Sequence, residues 1–400
     1  MEKIKTLFIS DIKIGDQRSS YQMIEPLMED IHANHGGVVL FSPENLLGEK
    51  LFEVITFKTF FYKSSNNLLR LISEIFYPVV AILKFIKKIK SLNEVENVIV
   101  YSPSIFFVFF ICFLKCLPIR KKRYYLILRD IFPDWAYNNG FIKNPFVIFS
   151  LRKVAALQFK LYDCIGVQNE SSKKYLFCNY SIKCKIVVLS NWFSVQKNSL
   201  HYNELPKSLQ KIIDVKRKYL VYTGSLGHAQ DMLLFVKSFC KIIDLNPEFN
   251  YNLIILGEGV DFIKIEQLAR KYSKRIFIFK KVDNNISNYF IANSSGGIVS
   301  LDRKFKVDNI PGKFINYISL GIPVFALVNK SNTDLINEIN ENRLGIASSA
   351  HTQLDIMDIL LGYCRIENKY SNENIKNYFL RHYSYGVCSR PLLEWLDNNS

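Results

Sequence analysis

The sequence predicts an α/β protein built as two successive halves, each a mainly parallel sheet with helices between its strands. Three observations carry this. Apolar β-type runs alternate with segments of helical spacing from Lys5 to Trp192, and again from Tyr219 onward. Between these halves the chain turns polar and lysine-rich around Pro206, as a linker does. The second half opens on YLVYTGSLGHAQDMLLFVKSF (Tyr219–Phe239), which reads as strand, glycine-bearing turn and helix. The expected division is therefore 1–195, a linker at 196–218, a second domain at 219–372 and crossover helices at 373–400.

Four hundred residues, 49% of them apolar, are ample for more than one core. The net charge of +16 asks for an anionic partner: nucleic acid, a phosphorylated substrate or an anionic membrane surface. Basic clusters at Lys84–Lys90 and Arg120–Arg123 flank very apolar segments, and others lie at Lys216–Lys218 and Lys280-Lys281. The longest apolar run, Ile105–Leu114, is far short of the roughly 20 residues that span a bilayer. Residues 66–92 combine a broad apolar face with a lysine-rich end, and Pro78 is expected to kink or break them. They read either as an interfacial membrane helix or as a helix packed on the first core. The eight cysteines form no paired CxxC framework, and no secretory signal precedes the strand-like KTLFISD. Reduced thiols in the cytoplasm are expected.

In order, Lys5–Ser10 is the opening strand, left through a polar loop with Gly15 and Arg18 into a helix from about Ser20 to Ala33. Val38–Ser42 is the next strand. Ligands of open α/β sheets bind beyond the carboxyl ends of strands, so the Gly15–Ser20 loop is a candidate wall. VENVIVYSPS supplies a strand, SIFFVFFICFLKCL a helix, and Tyr124–Leu128 a strand that ends on Arg129 and Asp130. Side chains held there are often catalytic; a structural Arg–Asp pair beside a proline turn is the competing reading. CIGVQNE and KIVVLSNW close the half, with Asn191 and Trp192 at the end of the second.

In the second half, strand 219–223 passes through Gly224-Ser225-Leu226-Gly227 into a helix at 229–243. Free N–H groups and the dipole at such a helix start suit a phosphate, although glycines serve ordinary turns as well. A second strand, Asn252–Leu256, meets Gly257-Glu258-Gly259 and a helix to Tyr272; RIFIFKKV and GGIVSLD are further strands, with NISNYFIANS a short helix between them. The chain then reaches Pro311-Gly312-Lys313, the helix FINYISLG and the strand IPVFALV. Pro311 suits a first helical turn. Lys313 there is disfavoured by about 0.3–1 kcal/mol unless an anion lies between it and the helix. His228 either bonds a ligand hydroxyl or caps the helix entrance. The remaining histidines show no metal-ligand spacing.

Tyr125–Pro133 (YLILRDIFP), Ser190-Asn191-Trp192, Tyr222–Met232 (YTGSLGHAQDM), Gly257-Glu258-Gly259 and NIPGK, followed by GIPV, occur in that order along nearly the whole chain. Together they resemble bacterial glycosyltransferases of the GT-B architecture, in the family-4 branch with the L-fucosamine transferases of O-antigen and capsule assembly. The resemblance implies two Rossmann-like domains facing a cleft, with a C-terminal helix crossing back to the first. It implies transfer from a nucleoside-diphosphate sugar to a lipid-linked acceptor on the inner face of the cytoplasmic membrane. By motif, Gly224, Ser225 and Gly227 approach the diphosphate and Pro311, Gly312 and Lys313 grip it from another side. Gly257, Glu258 and Gly259 border the nucleotide, while His228, Arg303 and Asn316 complete the donor side. Arg129 and Asp130 face the sugar or acceptor, with Gly15, Arg18 and Asn191 on the acceptor side. Two positions depart from the family: Arg129 stands where a histidine is usual and Asn316 where a glutamate is usual. An arginine cannot serve as a base near neutral pH.

Charge developing on the leaving diphosphate is then stabilised by Lys313, with help from Arg303 or Lys304 and the turn amides. No cofactor beyond the UDP-sugar substrate is expected, and no metal: no Asp-x-Asp occurs in the sequence. The expected partners are the donor, a polyprenyl-diphosphate-linked glycan and the anionic membrane surface, to which the protein is peripheral, and not nucleic acid. Two rivals remain. A UDP-sugar epimerase of the same architecture would isomerise donor alone. A non-enzymatic basic surface protein would bind in a steeply salt-dependent way, indifferent to UDP.

Overall fold

The computed structural model describes residues 4–15, 19–44, 52–57, 67–89, 92–101, 104–117, 121–194, 200–213, 217–302, 304, 310–350 and 352–398. The chain divides into two units, Met1–Ser194 with Cys388–Ser400, and Val195–Val387.

The first unit is a seven-stranded sheet: β1 Ile4–Ser10, β2 Gly37–Ser42, β3 Glu53–Thr56, β4 Asn97–Tyr101, β5 Arg123–Leu128, β6 Cys164–Val167 and β7 Lys185–Val188. Every pairing is parallel, in the order β3-β2-β1-β4-β5-β6-β7. The central strands are buried along their length, which is why they read as continuous apolar runs. Helices 67–88, 108–116, 145–160 and 170–179 share one core with one face of the sheet, through Tyr77, Phe85, Phe110, Phe159 and Leu176 against Leu7, Phe41, Val100 and Leu126. Right-handed crossovers put them there, because each connects strands in the same direction across the sheet. Helix 19–35 packs with the C-terminal helix 390–397.

Pro78 does not break its helix, which runs from Asn67 to Lys88. Ser73, Tyr77, Ala81 and Phe85 bury one stripe in the core, and this packing outweighs the lost backbone bond. The opposite stripe stays open to solvent: Ile72, Ile75, Phe76, Val79, Leu83 and Ile86 are all exposed. No described helix is long and apolar enough to cross a membrane.

The second unit is a six-stranded parallel sheet: β8 Lys218–Ser225, β9 Tyr251–Glu258, β10 Ile276–Phe279, β11 Gly296–Ser300, β12 Val324–Leu327 and β13 Gly345–Ser348, in the order β10-β9-β8-β11-β12-β13. Both sheets are thus Rossmann-like, the fold class expected. Strand order reverses between β1 and β4 in one unit and between β8 and β11 in the other. Those switch points are where open α/β sheets bind ligands.

The polar stretch after residue 199 is partly folded rather than extended, with a 3₁₀ turn at Tyr202–Glu204 and a helix at Lys207–Ile213. The crossover is confined to Cys388–Ser400. Helix 372–382 stays in the second unit against helix 312–319. The returning segment is held on the first sheet by Arg123, which donates to the carbonyls of Trp395 (2.7 Å) and Leu396 (3.2 Å) while its guanidinium lies 4.3 Å from the Trp395 ring. The same ring meets Tyr125 edge-on at 5.1 Å.

Candidate functional site

The switch point of the second unit is built from the ends of β8 and β11. Here β8 extends two residues further than its sequence pattern predicts, to Ser225, because Gly224 and Ser225 pair with Gly257 and Glu258 of β9. The next amide, Leu226, donates to the Glu258 carbonyl at 2.8 Å. The Gly227 amide donates to Gln230 Oε1 at 3.1 Å. A 3₁₀ turn, His228–Gln230, follows, and Asp231 adopts left-handed backbone (φ 43°) before the α-helix begins at Met232. The helix therefore starts three residues later than expected from apolar spacing. Its N-terminus does not adjoin the glycine turn, and the Gly227 amide is already engaged.

Two glycines here are steric requirements. A Cβ at Gly257 would sit 2.0 Å from the Gly224 carbonyl oxygen, and one at Gly259 would sit 2.5 Å from that of Leu226. Gly257→Ala is expected to destabilise the second unit by about 3 kcal/mol or more, lowering its melting temperature by about 6–12 °C. A calorimetric scan matching the parent protein would show that the strand ends have room to spare.

Lys313 occupies the first turn of helix 312–319, with Pro311 as its N-cap. Its Nζ donates to Tyr222 Oη at 2.8 Å, lies 4.0 Å from the Tyr222 ring centroid and stands 3.7 Å from the position a Gly224 Cβ would take. One turn on, Tyr317 anchors the helix. Its hydroxyl accepts from the Thr223 amide (3.1 Å) and donates to the Ile298 carbonyl (3.2 Å). Residues i and i+4 share a helix face, so fixing Tyr317 across β8 and β11 fixes Lys313 over Gly224. No described carboxylate pairs with Lys313, and burial pushes its ammonium down to about 7. The result is a poorly solvated cation beside a side-chain-free patch of backbone. Such a group gains most from an arriving anion.

The other donor-side residues are placed as follows. His228 is largely exposed, its Nδ1 3.2 Å from Oδ2 of buried Asp261. That fixes the ring in a way the sequence did not reveal. Glu258 is exposed at the end of β9. Asn316 turns to Asn288, its Nδ2 donating at 3.4 Å. The Asp302 amide donates to the Ala229 carbonyl (2.8 Å), tying the end of β11 to the 3₁₀ turn. Arg303 lies outside the described residues, as does Arg18.

In the first unit, Gly15 has φ 81° in the loop after β1, where Ile14 bonds Glu44 beyond β2. Arg129 differs from the expectation of a side chain presented at the strand end. It is only 7% exposed; Nη1 donates to the Leu189 carbonyl at 2.6 Å, and the guanidinium is flanked by Tyr101 (5.7 Å) and Trp192 (5.3 Å). Burial lowers its pKa, against the pull of the neighbouring Tyr101 hydroxyl. Trp192 is itself pinned by its indole N–H to the Met23 carbonyl at 2.9 Å. Arg129 thus supports the 189–192 segment carrying Asn191, and Asp130 is the exposed member of the pair. Among the described residues no group of three or more His, Cys, Asp or Glu side chains could hold a metal ion.

No protein-family model matches the chain and no curated protein matches it by sequence. Solved structures do. HepE from Anabaena in complex with UDP superposes with a TM-score of 0.68 at 11% identity, covering 99% of this chain and 100% of that one. WaaG, a glycosyltransferase involved in lipopolysaccharide biosynthesis, gives 0.66 at 13% identity, with 96% and 98% covered. Sucrose-phosphate synthase from Thermosynechococcus elongatus gives 0.73 at 10% identity, with 99% and 98% covered. At such identities the likeness establishes the fold, which is that of GT-B proteins.

Proposed function

We propose that this protein is a glycosyltransferase that moves a sugar from a UDP-sugar to a polyprenyl-diphosphate-linked glycan in surface-polysaccharide assembly, working at the inner face of the cytoplasmic membrane. The single observation that carries the reading is Lys313: a partly desolvated ammonium, locked by Tyr222 and Tyr317 over Gly224 at the sheet's switch point. Cleavage of a sugar–phosphate bond leaves negative charge on the departing diphosphate, and a preset cation there lowers the barrier. Lys313 supplies the positive charge, so the mechanism is metal-independent. His228, held by Asp261, has its Nε2 available for a donor hydroxyl. The HepE complex with UDP, shared fold and all, favours a uridine nucleotide. The donor sugar suggested by the motifs is L-fucosamine or a related deoxyhexose.

The exposed apolar stripe of helix 67–88, with Lys84, Lys87 and Lys88 at its end, is read as the membrane-facing surface. The direct test offers UDP- and GDP-sugars together with a synthetic polyprenyl-diphosphate N-acetylhexosamine and scores product mass. Transfer from a UDP-sugar is expected. An isomer formed from donor alone, or no product with any donor, would overturn the assignment.

A further inference from the structure

A cavity of about 390 Å³ opens in the first unit between helix 145–160 and the turn at 179–182. Among the described residues its only carboxylate, Asp134, is buried and already satisfied: Arg152 holds it through Nε (2.8 Å) and Nη2 (2.6 Å), and Tyr180 donates its hydroxyl to the other oxygen. Lys153 and Lys160, which also line the cavity, have no carboxylate partner among the described residues; Lys153 rests over the Phe149 ring at 5.1 Å. The polar floor is thus neutral, and two lysines make the cavity a net cationic one. Phe149, Ala156, Phe159 and Ile182 give the wall an apolar side, and Asn179 and Ser181 add neutral polar groups.

Helix 145–160 carries no acidic residue, and Phe146, Phe149, Lys153, Leu157 and Lys160 follow one another at i+3 and i+4 spacing along one face. Phe146 is 81% exposed and Phe149 62%. Phenylalanines that open to solvent beside a lysine-lined cavity match an amphiphile: a phosphate in the cavity and hydrocarbon along the rim. A free phosphate has no use for that rim.

We propose that this cavity binds the phosphate of an anionic phospholipid headgroup, with Lys153 and Lys160 as the ligating cations. The inference rests on the membrane-facing reading of this unit, and gives it a chemical selectivity that a flat apolar stripe lacks.

The test uses the full chain and dihexanoyl phosphatidic acid, which stays monomeric in water, with binding followed by calorimetry. Saturable binding is expected, weakened about thirtyfold in Lys153→Gln/Lys160→Gln, at roughly a fivefold loss per lysine, and restored in the Lys153→Arg/Lys160→Arg pair. Inorganic phosphate is expected to bind more weakly than the lipid. No saturable binding, an unchanged glutamine variant, or equal affinity for inorganic phosphate would each overturn the proposal. A Phe76→Ser/Leu83→Ser protein separates the two readings: it should bind phosphatidylglycerol vesicles roughly thirtyfold more weakly yet keep the short-chain lipid. Loss of the short-chain lipid in that protein would overturn the assignment to this cavity.

Discussion

Lys313→Ala is expected to lower kcat by about a hundredfold or more, the scale seen when one preorganised donor to a developing anion is removed. The UDP dissociation constant should rise with it, since the proposed clamp has the same ammonium meet the diphosphate in the ground state. Stability should hardly fall, because the deleted group is a half-buried cation whose partner among the described residues is Tyr222, through its hydroxyl and ring. This combination separates a ligand-gripping lysine from a structural one. A structural lysine would lower the melting temperature when removed and leave the kinetics of folded protein alone. Normal turnover in Lys313→Ala would remove the basis of the proposed mechanism.

The same residue makes a pH signature. Its folded value is lowered to about 7, against roughly 10.4 for an unfolded lysine. Between those values the unfolded chain holds a proton that the folded chain has released, so ligand-free stability rises as pH climbs through this window. Lys313→Met should flatten that rise. A bound diphosphate favours the charged ammonium, so at pH 8 UDP binding should take up a proton, and affinity should decline as pH rises further. Titration calorimetry in two buffers of different ionisation heat measures the uptake; none in the parent protein would show that Nζ does not meet the phosphate.

The parallel strands are legible because strands buried on both faces read as unbroken apolar runs, and the place of Lys313 in a first helical turn is legible from Pro311 before it. Other features depended on distant contacts. β3 and β13 are four-residue strands whose place is fixed only by pairing with β2 and β12. The role of Tyr317 needs Thr223 and Ile298 beneath it, and an apolar helix face does not announce which tyrosine bridges two strands. The inward turn of Arg129 depends on distant contacts too: its partners Leu189 and Trp192 lie some sixty residues on, which is why the sequence leaves both readings of the Arg129–Asp130 pair open. Pro78 shows tertiary packing overriding local propensity. The engaged Gly227 amide depends on Gln230, a residue whose spacing alone does not distinguish a cap from a surface side chain.

Replacing Phe76, Val79, Leu83 and Ile86 with serine is expected to weaken partitioning onto phosphatidylglycerol vesicles by about a hundredfold or more. These side chains are 48–57% exposed, so each has close to half its surface left to bury. At about 25 cal/mol per Å², half of a full side-chain burial is roughly 1 kcal/mol, and four together give about 4 kcal/mol. Some is lost to incomplete insertion, which leaves two or more decades. Stability should hardly change, since exposed substitutions usually stay within about 0.5 kcal/mol each. Salt distinguishes the two parts of the attraction. The share from Lys84, Lys87 and Lys88 is screened at high ionic strength, whereas the apolar share persists. The parent protein should therefore retain part of its binding in high salt and the serine variant almost none, while both bind UDP equally, because the residues proposed to grip the nucleotide belong to the second unit. Equal sedimentation of parent and variant with the vesicles would show that helix 67–88 keeps its apolar stripe for something other than lipid.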